Sequence, residues 1–145
     1  VQIRVADADS TRAVRRAVLR PTWPPDSPMH GDENADAVLL AAVEDGTVIG
    51  TVLILPRPYP HRPELDGAWQ LRGMATIPAR QGTGIGSRLV CAAIDEARRR
   101  GGRLLWCDAR TSAVGFYRKN GFVTEGPEFL HDESAIPHYR MWREI

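Results

Sequence analysis

The spacing of apolar and polar residues along the chain changes several times, and each change marks an element. Ile3 to Ala6 alternates like a short strand. The spacing then lengthens toward Leu19. Ala13, Val14, Ala17 and Val18 fall on one helical face and Arg12, Arg15 and Arg16 on the other. Asp9, Ser10 or Thr11 is available as the cap of that helix and Pro21 as its stop. Residues 21–34, with Pro21, Pro24, Pro25, Pro28 and Gly31, predict an irregular loop. Val38 to Glu44 and Thr47 to Leu55 are β-branched apolar runs joined by Asp45-Gly46, a strong hairpin signal. A second loop follows with Pro56, Pro58, Pro60 and Pro63, and then a strand-like run from Trp69 to Ala75.

The clearest pattern comes next. From Ile85 to about Arg100, Ile85, Leu89, Val90, Ala93, Ile94 and Ala97 define one helical face, and Arg88, Cys91, Asp95, Arg98 and Arg99 the other. Asp95–Arg99 and Glu96–Arg100 are spaced to support it, and Gly101-Gly102 ends it. Leu104 to Cys107 predicts a short buried strand. Thr111 or Ser112 then caps a helix that closes at Asn120-Gly121. Phe122 to Glu125, Glu128 to His131 and Ile136 to Trp142 suggest closing strands, with Asp132-Glu133-Ser134 turning between the last two. The order β-α-β-β-β-α-β-α-β-β predicts an α/β fold, a mixed sheet flanked by helices, in one domain over residues 1–145.

Composition narrows the function classes. The chain is 43% hydrophobic and 26% charged with a net charge of +1, which gives no electrostatic case for nucleic acid or membrane as a partner. No apolar run reaches the roughly 18 residues that cross a bilayer. Val1 to Ser10 lacks a basic start followed by a long apolar stretch, so no secretory signal is expected. Cys91 and Cys107 make neither a disulfide framework nor a metal cluster, and both are expected to be small buried hydrophobes. A cytoplasmic location without a metal fits these facts.

Between strand and helix lies Gln81-Gly82-Thr83-Gly84-Ile85-Gly86. Glycines there remove the Cβ atoms that would keep a ligand off the backbone. The unpaired N–H groups of the helix start and its positive dipole end then favour phosphate or pyrophosphate. This is no Walker loop, since no Gly-Lys-Ser/Thr follows. Nor is it a dinucleotide fingerprint, because the spacing is G-x-G-x-G and the loop opens no early βαβ unit.

The same six residues resemble the Q/R-x-x-G-x-G/A signature of the GNAT acyltransferase superfamily, which binds the pyrophosphate of acetyl-CoA. Ala113, Phe116, Tyr117, Gly121 and Phe122 resemble its A-x-x-x-Y-x-x-x-G-F helix. The element order is also similar throughout, without the second helix. The resemblance implies a central, splayed mixed sheet. It also implies acetyl-CoA as co-substrate and transfer of its acetyl group to a primary amine of a small molecule or peptide. Backbone groups of Gln81, Gly82, Thr83, Gly84, Ile85, Gly86 and Ser87 would hold the pyrophosphate, with Arg80 at the lip. Met74, Ala75 and Thr76 would pair with the pantetheine arm like an added strand, past the small Ala113.

Direct transfer needs a neutral amine, a stabilised oxyanion and a proton for the departing thiolate. By resemblance Tyr117 is the acid, and the N–H of Met74 or Ala75 is the oxyanion donor. Several relatives carry a glutamate on the strand before the glycine loop, where this chain has Gln70 and Arg72. His138, which titrates near neutrality, is the candidate base, followed by Glu128, His131 or a water chain. Arg20, Trp23, His30, Tyr59, His61 and Arg72 are candidates for the acceptor side, Arg72 fitting a carboxylate-bearing acceptor or, equally, a salt bridge within the sheet. Two other readings stand beside this one: a silent acyl-CoA sensor, and transfer of another acyl chain or to a hydroxyl. Dimers are frequent among proteins of this resemblance, so a homodimer is one expected state.

Overall fold

The computed structural model of the chain describes residues 1–19, 35–131 and 135–145. The first proline loop, Arg20 and the turn at residues 132–134 therefore lie outside the described residues, as does any element between the first helix and the hairpin.

Strand β1 (Gln2–Ala6) leads into helix α1 (Ala8–Leu19). The cap is Asp7, which precedes the expected Asp9, Ser10 and Thr11: its Oδ1 accepts the Ser10 N–H at 2.7 Å. The inner face of the helix differs from the expected one. Thr11 is fully buried, Val14 and Val18 are half-buried, and Ala13, expected inside, is exposed. The hairpin of β2 (Val38–Glu44) and β3 (Thr47–Pro56) turns at Asp45 and Gly46, both at positive φ (51° and 78°). That is the mirror-image turn whose twist suits a hairpin.

Strand β4 (Ala68–Thr76) pairs antiparallel with β3, and a bulge falls between the partners of Thr51 and Leu53. Helix α2 (Ile85–Arg99) buries the six residues Ile85, Leu89, Val90, Ala93, Ile94 and Ala97, the face its periodicity predicts. Glu96 holds both Arg99 and Arg100, so the expected Asp95–Arg99 pair does not form, and Asp95 reaches Arg98 at 3.9 Å. Cys91 is exposed on the outer face of α2, against expectation, and Cys107 is buried.

Strand β5 (Leu104–Arg110) outruns its predicted end at Cys107. A 3₁₀ turn (Thr111–Ala113) leads into the short helix α3 (Val114–Lys119) with no side-chain cap, and Gly121 follows at φ 88°. The closing strands are β6 (Val123–Thr124), β7 (Phe129–Leu130) and β8 (Pro137–Glu144). The sheet runs β1-β2-β3-β4-β5-β8-β6, with β7 also on β8. All pairings are antiparallel except β4–β5, which is parallel and limited to Ala68–Leu104, Trp69–Leu105 and Gln70–Trp106. Beyond those pairs the two strands splay.

Strand alternation sorts the residues beside the splay onto two faces. Trp69, Leu71, Leu105, Cys107, Ala109 and Met141 join α2, Tyr117 and Phe122 in the main core. Gln70, Arg72, Trp106, Asp108 and Arg110 alternate with them and belong to the opposite face. His138 and Arg140 lie there too, directly across from Arg110 and Asp108.

Candidate active site

The glycine loop has the form a phosphate cradle needs. Gly82 and Gly84 stand at φ 78° and 87°, and a Cβ built on either meets no atom within 4 Å. Gly84 is the left-handed N-cap of α2, whose first turn carries no acidic residue. The N–H groups at this end are therefore offered to solvent beside the dipole's positive pole. Gln81 ties the loop to its strand, its Nε2 donating to the Thr76 carbonyl at 3.0 Å. Thr83 Oγ1 donates to the Arg80 carbonyl. Arg80, expected at the lip, pairs with Glu44, its Nε 3.0 Å from Oε1.

Gly86 has a separate task. A Cβ there would stand 3.0 Å from the Phe116 ring, so its absence lets α3 close on α2. Asn120 Nδ2 reinforces the junction, donating to the Phe116 carbonyl at 2.9 Å and to Ser87 Oγ at 3.3 Å. The loop helix and the tyrosine helix are thus fixed to each other.

Where β4 and β5 part, an open cavity is lined by Gln70–Met74, Cys107–Arg110, Ala113, Phe116, Tyr117, His131 and His138. Of the residues predicted for the site, Arg72, Met74, Ala113, Tyr117 and His138 meet here, as does His131. Ala75 is buried and Thr76 half-buried on the continuing strand. Tyr117 is buried, and burial above all pushes its phenol well above the ordinary value. Among the described residues its hydroxyl has no hydrogen-bond partner. It is therefore a protonated donor. Burial also raises the Cys107 thiol, with the Asp108 charge adding to it.

His138 is buried on the other face. Its Nδ1 lies 2.5 Å from the Ile136 carbonyl, which fixes the proton on Nδ1 and leaves Nε2 as the lone-pair nitrogen. Burial is the main reason its pKa lies below the ordinary histidine value, partly opposed by that carbonyl. The His131 ring stands 4.8 Å away, and its buried Nδ1 has no partner among the described residues. Glu128, the other candidate base, accepts the Thr111 hydroxyl at 2.7 Å and does not line the cavity.

Tyr59 is not brought to the cavity. It is fully buried among Trp106, Trp142 and His61, and its hydroxyl donates to Glu125, which also pairs with Arg62. The residue anchors the second proline loop, with His61 stacked on it. Arg20, Trp23 and His30 lie outside the described residues. The prediction missed Asp108 and Arg110. Alternation continued past Cys107 would have put both on the Trp106 face, but two charges there read as the end of a buried strand.

The site thus combines a mixed sheet that opens between its two parallel strands, a glycine loop at the start of α2 and a cavity that reaches Tyr117 of α3. Residues 8–122 match the profile of the Acetyltransferase (GNAT) family, and the chain belongs to that family. It is 28% identical over 130 residues to the uncharacterised N-acetyltransferase YitI of Bacillus subtilis (strain 168), covering 89% of this chain and 87% of that one. Its fold is similar to an aminoglycoside 6′-N-acetyltransferase solved with coenzyme A, at TM-score 0.79 and 19% identity over 99% and 97% of the two chains. It is similar also to an IAA acetyltransferase from Bacillus cereus ATCC 14579, at TM-score 0.76 and 17% identity over 99% of each chain.

Proposed function

We propose that the chain transfers the acetyl group of acetyl-CoA to a primary amine of a small molecule or peptide by direct attack. The amine nitrogen bonds to the acetyl carbon, the carbon–sulfur bond breaks, the amine loses a proton and the thiolate gains one. The products are an amide and free CoA.

One observation carries this reading: a single cavity in the splay joins Tyr117 on the helix face to His138 on the opposite face. An acid and a base on opposite sides of a thioester are what attack and departure require. Tyr117 protonates the departing sulfur. His138 Nε2 takes the proton of the amine, directly or through water. The N–H of Met74 or Ala75 meets the oxyanion beside the bulge, where glycine at φ 59° (Gly73) redirects the strand. Main-chain groups of residues 74–76 pair with the pantetheine arm, and those of residues 81–87 hold the pyrophosphate.

The test is release of free CoA thiol from acetyl-CoA on addition of an amine panel. Turnover with an amine supports the reading. Binding of acetyl-CoA without turnover makes the chain an acyl-CoA sensor. Turnover only with a hydroxyl acceptor or a longer acyl chain redefines the transferase.

A further inference from the structure

We infer that Gln70 is a specificity-determining residue whose side-chain amide selects an amine bearing a carbonyl or carboxylate oxygen; the inference rests on the transferase reading above. Gln70 lines the cavity and is the last residue of the β4–β5 ladder, opposite Trp106, so it stands where the splay begins. It is only 3% exposed, a depth at which side-chain polar atoms are ordinarily paired. Its side chain has a single hydrogen bond among the described residues, accepted by Oε1 from the Arg57 Nη1 at 3.0 Å. Arg57 is itself fixed by its main chain. Its N–H donates to the Ala68 carbonyl and its carbonyl accepts the Trp106 Nε1, each at 3.1 Å.

A guanidinium can only donate, so the amide must turn its oxygen to Arg57 and cannot offer its NH2 there. The orientation of Gln70 is thereby decided. Nε2 keeps two N–H groups that no described residue accepts. Unlike the unpartnered Nδ1 of His131, it is not sealed inside protein, and so it meets the cavity. Water serves such donors until a substrate displaces it. A substrate that brings an oxygen replaces the lost hydrogen bonds, whereas an alkyl chain leaves buried donors unpaired. A neutral amide suits a carbonyl and a carboxylate alike, whatever the charge of the surrounding wall. The expected class is therefore a primary amine with a second, oxygen-bearing group, and plain alkylamines are disfavoured.

The experiment measures kcat/KM of the full chain with acetyl-CoA for ω-amino N,N-dimethylamides and ω-amino acids of several lengths. Each is paired with the alkylamine of matching length. The ratio within a pair is compared between wild type, Gln70→Met and Gln70→Glu. Loss of folded protein cancels within a pair, and amine basicity cancels between variants. Gln70→Met removes the donors, while the near-isosteric Gln70→Glu keeps the Arg57 contact as an ion pair and exchanges donors for an acceptor. The expected result is a ratio that falls at least about tenfold in both variants for one or more pairs. A fall for the dimethylamides identifies a neutral carbonyl as the oxygen group. A fall for the amino acids, deepest in Gln70→Glu where two carboxylates meet, identifies a carboxylate. Ratios unchanged in Gln70→Met, or wild-type turnover of the alkylamines alone, overturn the inference and leave the transferase reading standing. A fall in Gln70→Met that Gln70→Glu does not share assigns the effect to shape and overturns the hydrogen bond. Absence of turnover with every amine overturns both readings.

Discussion

Tyr117 and His138 are both buried, and burial acts on them in a coordinated way. It disfavours charge on each, keeping the phenol protonated and the imidazole neutral. Those are the starting states of an acid and a base. Tyr117→Phe removes the proton but keeps the ring that packs edge-on against Phe116 and Phe122. It should lower kcat by about a hundredfold or more while calorimetry finds acetyl-CoA affinity unchanged. Unaltered turnover would free Tyr117 of the acid role. For His138 the sign follows from its lowered pKa. The neutral base survives to lower pH, so the acidic limb of kcat/KM should lie below the ordinary value of about 6.5. The groups facing it are His131, Asp108 and Arg110, and of these only Asp108 opposes the shift. In His138→Gln that limb should disappear along with most of the rate. An identical limb in the variant would assign base duty elsewhere. The same linkage makes His138 a cost to stability in acid. The folded state is at full strength above about 6.5 and weakens as pH falls toward the folded value. Cys107 lines the cavity as a neutral thiol, so it is not poised as a nucleophile. Intact-mass measurement after incubation with acetyl-CoA alone should find no acetyl-enzyme.

On the proposed function, acetyl-CoA affinity should depend on the glycine loop and the start of α2. Gly84→Val places a β-branched residue at φ 87°, in the left-handed region, and puts methyl groups where the diphosphate should approach. Titration calorimetry should find acetyl-CoA binding lost, while circular dichroism still reports a folded chain. Retained affinity would put the diphosphate somewhere else. How much the sequence revealed differs from element to element. The apolar face of α2 was legible in full, since a long amphipathic helix repeats its signal over several turns. The glycine loop was legible because three Cβ-free positions beside a helix start have few other uses. Less of α1 was readable, because its cap Asp7 precedes the three candidates and its fully buried residue, Thr11, is polar and so absent from the apolar stripe. The end of β5 was hidden by Asp108 and Arg110, whose charges mask the period-2 pattern. The role of Tyr59 was hidden as well, because its partner Glu125 lies 66 residues away.

At the scale of the whole molecule the sheet is two half-sheets. One comprises β1–β4 and the other β5, β8, β6 and β7, and they are joined by three residue pairs, Ala68 to Gln70 with Leu104 to Trp106. Helices α2 and α3 bridge the halves on one side through Gly86, Phe116, Ser87 and Asn120. Across the splay the β5-facing edge of β4 has no strand to pair with among the described residues. A pantetheine arm inserted there would complete the ladder and couple the halves directly. Binding should therefore stabilise the fold globally and also protect a particular place. At about a hundredfold excess over Kd, linkage alone gives roughly 2.7 kcal/mol, read as a rise in Tm. Hydrogen exchange should slow chiefly at residues 71–76, 82–87 and 107–110, with little local change at the β1–β2 edge of the sheet. The site makes this pattern necessary: a ligand held only by its diphosphate would protect residues 82–87 and leave the two strands as they were. Equal protection spread over every strand would mean that the arm does not lie in the splay, and the roles given to Tyr117 and His138 would lose their geometric basis.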